Sequence, residues 1–220
     1  METSKPIKQN LVQITMNDAQ IKQSILLNIV KMLTSRNIID ETHIDMYSTL
    51  AYNELLSNQN EETFFNITTE EAERLGTTTK MIRVKFINRK ITTIRKVIDI
   101  EDFMNNLEYK IIIVNNIAPK ASKQITEYKN TELFYDTELQ INLIDHILVP
   151  KHFKLSEIDI DRLKESYQFN TKNAKRMYID DPIAKYYNLK VDDIVRIERP
   201  SINSGISIDY RVVIPGSIYK

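Results

Sequence analysis

The spacing of apolar residues predicts helices in the first part of the chain. After Asn17 they recur every three or four positions, which is typical of an amphipathic helix with one buried face. A second helix is expected to begin near Asp40 or Thr42, because Thr42 and Asp45 resemble a capping pair. The stripe that defines the first helix consists of Ile21, Ile25, Ile29 and Met32.

The segment from 61 to 76 is polar and carries two aromatic residues, Phe64 and Phe65, that we expect to act as anchors. Thr68 and Glu71 have the spacing of a capping box, which predicts a short helix. Gly76 is the expected end of that helix, because glycine readily takes the left-handed conformation found there.

The hydrophobic period then changes from that of a helix to that of a strand. Residues 81–87 alternate apolar with basic residues, which predicts a half-buried strand with Arg83 and Lys85 toward solvent. Residues 110–114 form a β-branched run, typical of a strand covered on both faces. A further short strand is expected at 132–135. Intervening helices are predicted from Pro119 and across a stripe of Ile91, Ile94, Ile98 and Phe103.

This order of strands and helices predicts an α/β domain with a mostly parallel sheet over residues 1–143. The pattern of elements over residues 144–220 predicts a smaller α+β domain. A helix is expected after Ser156, and another after the Asp181-Pro182 pair, where aspartate caps the helix and proline takes its first position. Two strands, 193–198 and 206–214, follow. The inner face of the helix after Ser156 is predicted to hold Ile160, Leu163 and Tyr167.

Composition narrows the functional classes. The chain has no cysteine, so disulfides and thiolate zinc sites are excluded. It has 30 basic and 30 acidic side chains, whereas an autonomous nucleic-acid binder carries a basic excess. Its three glycines are isolated, which excludes a glycine-rich phosphate loop. No apolar run approaches the roughly 20 residues of a membrane helix, and the first ten residues lack a signal core, so we expect an intracellular protein without a membrane partner.

One pattern leaves an enzymatic alternative open. Asp99 lies upstream of Glu108 and Lys110, and an acidic residue followed by Glu-x-Lys is how many metal-dependent nucleases hold Mg²⁺ and activate water. We favour a solvated helix face followed by a strand entrance, because the helical period runs through Asp99. The histidines at 146 and 152 do not have the spacing of a helical metal pair. We therefore expect neither a metal nor a cofactor.

The loop after the predicted buried strand offers groups that suit a phosphate backbone. Loops at this end of an α/β sheet face ligands, and this one supplies amides, a hydroxyl and lysines. On residue chemistry alone an ordinary strand-to-helix turn is the simpler interpretation. The residues in question are Asn115, Asn116, Pro119, Lys120, Ser122 and Lys123.

Four peptides in the last third carry a resemblance to a known family. They are LVPKH at 148–152, DPIAKYYNLK at 181–190, VRIERPS at 195–201 and DYRVV at 209–213. In this order they resemble the assembly domain of the fifth-largest subunit of eukaryotic RNA polymerases, which has a small counterpart in the archaeal enzyme. Asn188 replaces a glycine that is usual in the family, although asparagine tolerates a left-handed turn.

The resemblance extends into the first domain at residues 113–121. The family has a threonine-proline-serine-alanine motif there; this chain has Ala118 for the threonine, keeps Pro119, has Lys120 for the serine and keeps Ala121. The resemblance implies a non-catalytic polymerase subunit whose first domain is a jaw beside downstream double-stranded DNA. The six loop residues named above would then lie near that DNA.

The resemblance also implies that the second domain docks on the largest polymerase subunit, near other small subunits, and that the chain does not form a homo-oligomer. Divergence at familiar positions and an AT-biased composition favour a large DNA virus as the source. The host cytoplasm and virion are then the expected locations, or the nucleus for a cellular protein. A free transcription factor with the same domains is a weaker alternative. The implied subunit-interface residues are Pro150, His152, Asp181, Pro182, Tyr186, Arg199, Pro200, Gly205, Tyr210 and Arg211.

Overall fold

The computed structural model describes residues 16–57, 62–92 and 98–216, which form a mixed α/β structure with two four-stranded sheets. The first sheet has the order β1-β2-β3-β4. Its first pair is antiparallel and the next two are parallel, which confirms the prediction of a mostly parallel sheet. The strands are β1 (Glu62–Asn66), β2 (Met81–Ile87), β3 (Tyr109–Val114) and β4 (Thr131–Tyr135).

Helices cover both faces of the first sheet. One core joins the first three helices to one face, and a second core joins the next two to the other face. Side chains alternate between the two cores along β3, where Ile111 and Ile113 face one core and Ile112 and Val114 the other. This explains the continuous β-branched run. The helices are α1 (Asp18–Ser35), α2 (Ile44–Ser57), α3 (Thr69–Leu75), α4 (Ile98–Asn105), α5 (Pro119–Thr126) and α6 (Asp136–Leu139).

Several predicted helix boundaries are confirmed. Asn17 caps α1, Thr68 and Glu71 form the capping box of α3, and Gly76 ends α3 at a φ of 70°. Pro119 opens α5 as predicted. The second helix differs, because a 3-10 turn at Glu41–His43 precedes α2, so Thr42 lies inside the turn instead of capping a helix.

Three expectations for the first sheet were incomplete or wrong. The segment around Phe64 and Phe65 is the strand β1, and Phe65 is buried opposite Ile82. Lys85 does not face solvent: it is 5% exposed, and its ammonium group lies 2.6 Å from the Glu62 carboxylate. Ile91 forms a parallel bridge with Ile117 instead of belonging to a helix, and Ile94 lies outside the described residues.

The second sheet has the order β5-β7-β8-β6. β7 pairs antiparallel with both β5 and β8, and β6 pairs parallel with β8. The two long strands and both helices were predicted, whereas the four-residue strands β5 and β6 were not. The elements are β5 (Lys151–Lys154), α7 (Glu157–Tyr167), β6 (Lys175–Tyr178), α8 (Pro182–Tyr186), β7 (Ile194–Ser201) and β8 (Gly205–Ile214).

The two faces of the second sheet are covered unequally. α8 packs on one face through Ile183 and Ala184. On the other face, α7 contributes Leu163, which packs on Ile194 and Val212 near one end of the strands. Tyr167, predicted on the inner face of α7, is the last residue of the helix and is 75% exposed, so this part of the prediction was wrong.

The two sheets meet through direct contacts. Tyr186 of α8 is 4% exposed and belongs to the core of the first sheet, with Ile144 and Tyr187 packed against that core. The boundary between 143 and 144 stays a prediction. Within the described residues, no helix combines the length and apolarity needed to cross a bilayer.

Candidate functional site

Five of the six residues predicted to lie near DNA are exposed at one edge of the first sheet. Asn115 and Asn116 follow β3 directly, and Pro119, Lys120 and Lys123 lie on α5. Ser122, the sixth, is half-buried, and its backbone N–H donates to the Ala118 carbonyl. Ala118 provides no side-chain cap, so the first-turn N–H groups of α5 are left for other acceptors.

A second loop at the same edge was missed by sequence reasoning. The turn after β2 reaches the β3–α5 loop, where Ile91 N donates to Asn116 O at 3.2 Å and Ala118 N donates to Ile91 O at 2.9 Å. Exposed Arg89 and Lys90 therefore lie beside Asn116 and the start of α5. The sequence contained a signal for this second loop, because both loops follow neighbouring parallel strands and therefore lie at the same edge of the sheet. The helix wrongly predicted through Ile91 prevented its recognition.

The charged side chains of these two loops are all positive. Residues 88–92 and 115–123 together contain Arg89, Lys90, Lys120 and Lys123 and no carboxylate. We call these two loops the basic edge. A chain with no net charge thus carries a local positive surface, which is the requirement for contact with a phosphate backbone.

The second sheet carries an apolar cleft beside its hairpin. β5 pairs with β7 only from Val195 to Glu198, so among the described residues β7 continues to Ser201 without a neighbouring strand on that side. The chain before β5 diverges and leaves a cleft of about 770 Å³. We call it the hairpin cleft. Its lining residues are Ile147, Leu148, Val149, Pro150 and Lys151 on one side and Glu198, Arg199, Pro200, Gly205 and Ile206 on the other.

Apolar side chains in the hairpin cleft are unusually exposed. Ile147 is 94% exposed, Leu148 is 82% exposed and Ile206 is 61% exposed. Contiguous apolar surface of this kind on a soluble fold marks an interaction site. Four of the ten residues predicted at a subunit interface line this cleft: Pro150, Arg199, Pro200 and Gly205.

The remaining predicted interface residues lie outside the hairpin cleft. Asp181 caps α8 by accepting from Ile183 N at 2.9 Å, with Pro182 at the first helical position. His152 is half-buried with Nδ1 2.7 Å from Pro150 O, and burial lowers the pKa of its ring. Tyr186 is buried in the core of the first sheet. Tyr210 and Arg211 are half-buried on β8.

Among the residues of the nuclease alternative whose side chains the structure describes, Glu108 and Lys110 are both held by structural partners. Glu108 is ion-paired with Arg83, and Lys110 is buried with its Nζ donating to Met104 O at 2.7 Å and to Asn106 O. Burial lowers the pKa of Lys110. Asp99 lies in α4, and its side chain is outside the described residues. Lys110 therefore satisfies carbonyls at the C-terminal end of α4, which is a structural role.

Asp40, His43 and Glu71 bring ligand-type atoms within 4.8 Å of one another. Their atoms already have protein partners. Glu71 accepts from Tyr47 Oη at 2.8 Å and contacts His43 Nδ1 at 3.2 Å, and Asp40 pairs with Arg74 at 3.2 Å. These contacts explain the cluster as a structural network, and the expectation of no metal stays a prediction.

Acid is expected to destabilise the fold through Glu71. Burial alone would raise its pKa, but hydrogen bonds from Thr68, Tyr47 and His43 hold the pKa below its ordinary value of 4.5. The unfolded state therefore binds the proton first as pH falls, and stability is lost between the ordinary and the folded pKa at about 1.4 kcal/mol per pH unit. Urea unfolding at several pH values below about 6 measures this slope.

The matched variant for that experiment is Glu71→Gln, which cannot titrate. Its unfolding free energy is expected to change less steeply with acid than that of the natural chain. Identical slopes would assign the acid sensitivity to other carboxylates.

An exposed apolar cleft on one sheet and a basic edge on the other are surfaces typical of a protein that assembles with partners. The family model described as RNA polymerase Rpb5, C-terminal domain, matches residues 141–213. DNA-directed RNA polymerase subunit 5 of Acanthamoeba polyphaga mimivirus is 30% identical over 210 residues, which cover 94% of this chain and 98% of that protein. The chain belongs to the RNA polymerase subunit 5 family.

Cellular relatives match over shorter spans. Subunit rpabc1 of the DNA-directed RNA polymerases I, II and III of Dictyostelium discoideum is 32% identical over 129 residues, which cover 56% of this chain and 66% of the relative. The Caenorhabditis briggsae subunit RPABC1 is 31% identical over 113 residues, which cover 50% of this chain and 54% of that relative. The resemblance inferred from the four C-terminal peptides is confirmed, and a viral source fits the mimivirus relative.

Proposed function

We propose that this chain is a non-catalytic subunit of a multisubunit DNA-dependent RNA polymerase, docked through its second domain on the largest subunit and presenting its first domain as a jaw to downstream DNA. The observation that carries the proposal is the separation of two exposed surfaces of opposite chemistry. The hairpin cleft is apolar and lies on the second sheet, whereas the basic edge is cationic and lies on the first.

The hairpin cleft supports docking on another protein. Burying an exposed aliphatic side chain contributes about 1.5–3 kcal/mol, so Ile147, Leu148 and Ile206 provide a substantial driving force once a partner covers them. Exposed Arg199 lines the same cleft and supplies a charged group at its rim, where such groups favour specificity over affinity. We infer that a segment of the largest subunit occupies the cleft.

The basic edge supports contact with the DNA backbone and gives no sequence readout. Lysine and arginine side chains, backbone N–H groups and a helix start bind phosphates without distinguishing bases. With no net charge on the chain, such binding is too weak to act alone. Docking through the second domain supplies the missing affinity by holding the edge near the DNA. Transcription in the host cytoplasm and virion, or in the nucleus for a cellular source, is the proposed setting.

Removing the lysines of the basic edge is expected to reduce the salt dependence of downstream DNA retention by the assembled polymerase. Each lysine that contacts a phosphate contributes about 0.9 to the slope of log affinity against log salt concentration. The test variant combines Lys90→Ala, Lys120→Ala and Lys123→Ala, and retention is measured on a labelled template across a salt series.

The control for that experiment is Lys172→Ala, an exposed lysine of the second domain. It is expected to leave the slope unchanged. A triple variant that assembles normally and keeps the full slope would argue against contact between this edge and DNA. Failure of the natural chain to co-purify with the two largest polymerase subunits would argue against the whole proposal.

A further inference from the structure

The contact between the two sheets is centred on one arginine. Arg36 follows the last residue of α1, and its side chain is 4% exposed. Its guanidinium donates to the Tyr186 carbonyl at 2.7 Å and to the Lys185 carbonyl at 3.0 Å. Both carbonyls belong to the end of α8 in the second domain, where the Lys185 carbonyl also accepts from Asn188 N at 3.0 Å.

The same guanidinium also binds the first sheet. Its two terminal nitrogens lie 2.6 and 2.8 Å from the two carboxylate oxygens of Glu132 on β4. Glu132 is itself held by the Tyr109 hydroxyl from β3. Arg36 therefore joins α1, the first sheet and α8 in one buried network, which we call the Arg36 clamp: Arg36, Tyr109, Glu132, Lys185 and Tyr186.

Other contacts limit how α8 can move about this point. The Tyr186 ring is buried in the core of the first sheet. Lys185 Nζ reaches both carboxylate oxygens of Glu138 at 2.7 and 2.9 Å. Asn188 donates to the Tyr109 hydroxyl at 3.4 Å. Arg36 lies where these elements converge, because a planar guanidinium can satisfy a carboxylate and two carbonyls at once.

α1 also holds the segment that leads into the second domain. Ser24 Oγ donates to Gln140 O at 2.9 Å, and Asn28 Nδ2 donates to Leu139 O at 2.8 Å. The connection between the sheets is thus fixed along the length of α1 and closed at its end by Arg36. A flexible linker would show none of these side-chain contacts.

We propose that Arg36 is a positioning residue that fixes the orientation of the second sheet relative to the first. The basic edge then keeps a fixed orientation relative to the hairpin cleft. Docking at the cleft therefore sets the direction in which the basic edge faces DNA. The consequence for DNA rests on the proposed function, whereas the fixed orientation is a property of the chain alone. Arg36 touches neither surface and acts through α8 and Glu132.

The orientation can be measured because the chain has no cysteine. Spin labels are introduced by Glu73→Cys on α3 and Glu165→Cys on α7, two exposed positions on helices that pack on different sheets. Electron–electron distance measurements on the full chain are expected to give one narrow distribution. With Arg36→Met added, the distribution is expected to broaden about twofold or to gain a second distance.

The control is Lys31→Met, on the same helix, which removes an exposed pair with Asp145 at 3.6 Å. It is expected to keep the narrow distribution. If Arg36→Met fails to fold by circular dichroism, Arg36→Lys is measured in its place. Lysine retains the positive charge and most of the aliphatic stem but lacks the forked N–H donors of the guanidinium group, so the distance distribution is still expected to broaden.

An unchanged narrow distribution in the folded Arg36 variant would overturn the proposal. That result is independent of the polymerase, because the labelled chain is measured by itself. A broadened distribution, together with a full salt slope in the assembled lysine triple variant, would support Arg36 as an orienting residue and contradict the proposed jaw. The two proposals can therefore fail separately.

Discussion

A chain carrying both Leu148→Asp and Ile206→Asp is expected to be lost from the polymerase while remaining folded. These side chains are 82% and 61% exposed in the chain, so the folded state does not depend on burying them. In a complex they would be covered, and the variant would place two carboxylates in an apolar cleft. Burial of an unpaired charge costs several kcal/mol, in addition to the lost apolar contribution of about 1.5–3 kcal/mol per side chain.

The measurement is co-purification of the tagged chain with the largest polymerase subunit. A loss of about 3 kcal/mol or more lowers affinity at least about 100-fold, which removes the variant at ordinary expression levels. Circular dichroism and thermal unfolding of the isolated chain are expected to match those of the natural protein.

Ile158→Asp is the matched control, since Ile158 is 65% exposed on α7 and does not line the hairpin cleft. It introduces one carboxylate at an exposure similar to that of Ile206 and is expected to assemble normally. Normal assembly of the double variant would place the docking surface elsewhere on the chain.

The second large effect is expected for Glu132→Ala, which should destabilise the fold by about 3–5 kcal/mol. The variant leaves the buried Arg36 guanidinium without its carboxylate and the Tyr109 hydroxyl without its acceptor. Removing one partner of a buried pair is costly because the other charge stays desolvated. Urea unfolding of the full chain measures the change in unfolding free energy.

The double variant Arg36→Met with Glu132→Leu tests the reason for that loss. Removing both charges is expected to cost less than Glu132→Ala, because no unpaired charge remains. Asp161→Ala, which breaks an exposed pair with Lys164, should change stability by less than about 1 kcal/mol. A loss of similar size in Glu132→Ala and Asp161→Ala would show that the buried pair has no special role.

Local signals predicted the elements whose structure depends on nearby residues. The capping box of Thr68 and Glu71, the helix start at Pro119 and the buried strand before it all follow from interactions within a few positions. Asn188 takes a φ of 48°, as the replacement of a glycine at that position led us to expect. The family resemblance identified the class of function. It could be recognised from short peptides because these peptides specify local features, namely caps, turns and strand edges.

Elements stabilised by distant partners were harder to predict. The strand β1 forms because β2 offers it a neighbour, and Lys85 is buried because Glu62 on β1 supplies a carboxylate. The short strand β5 likewise needs β7. Arg89 and Lys90 join the basic edge only because the turn after β2 lies beside the β3–α5 loop.

By itself the sequence determined most of the helices and the long strands, because hydrophobic period and capping chemistry act over a few residues. It also determined the family, through the order of the four C-terminal peptides. Only the tertiary structure decided which residues meet across long separations. Tyr186 lies in one of the four family peptides, yet it packs in the core of the first sheet. Arg36 has no local signal for this role, because the Glu132 carboxylate and the two α8 carbonyls that it binds lie 96 to 150 residues away along the chain.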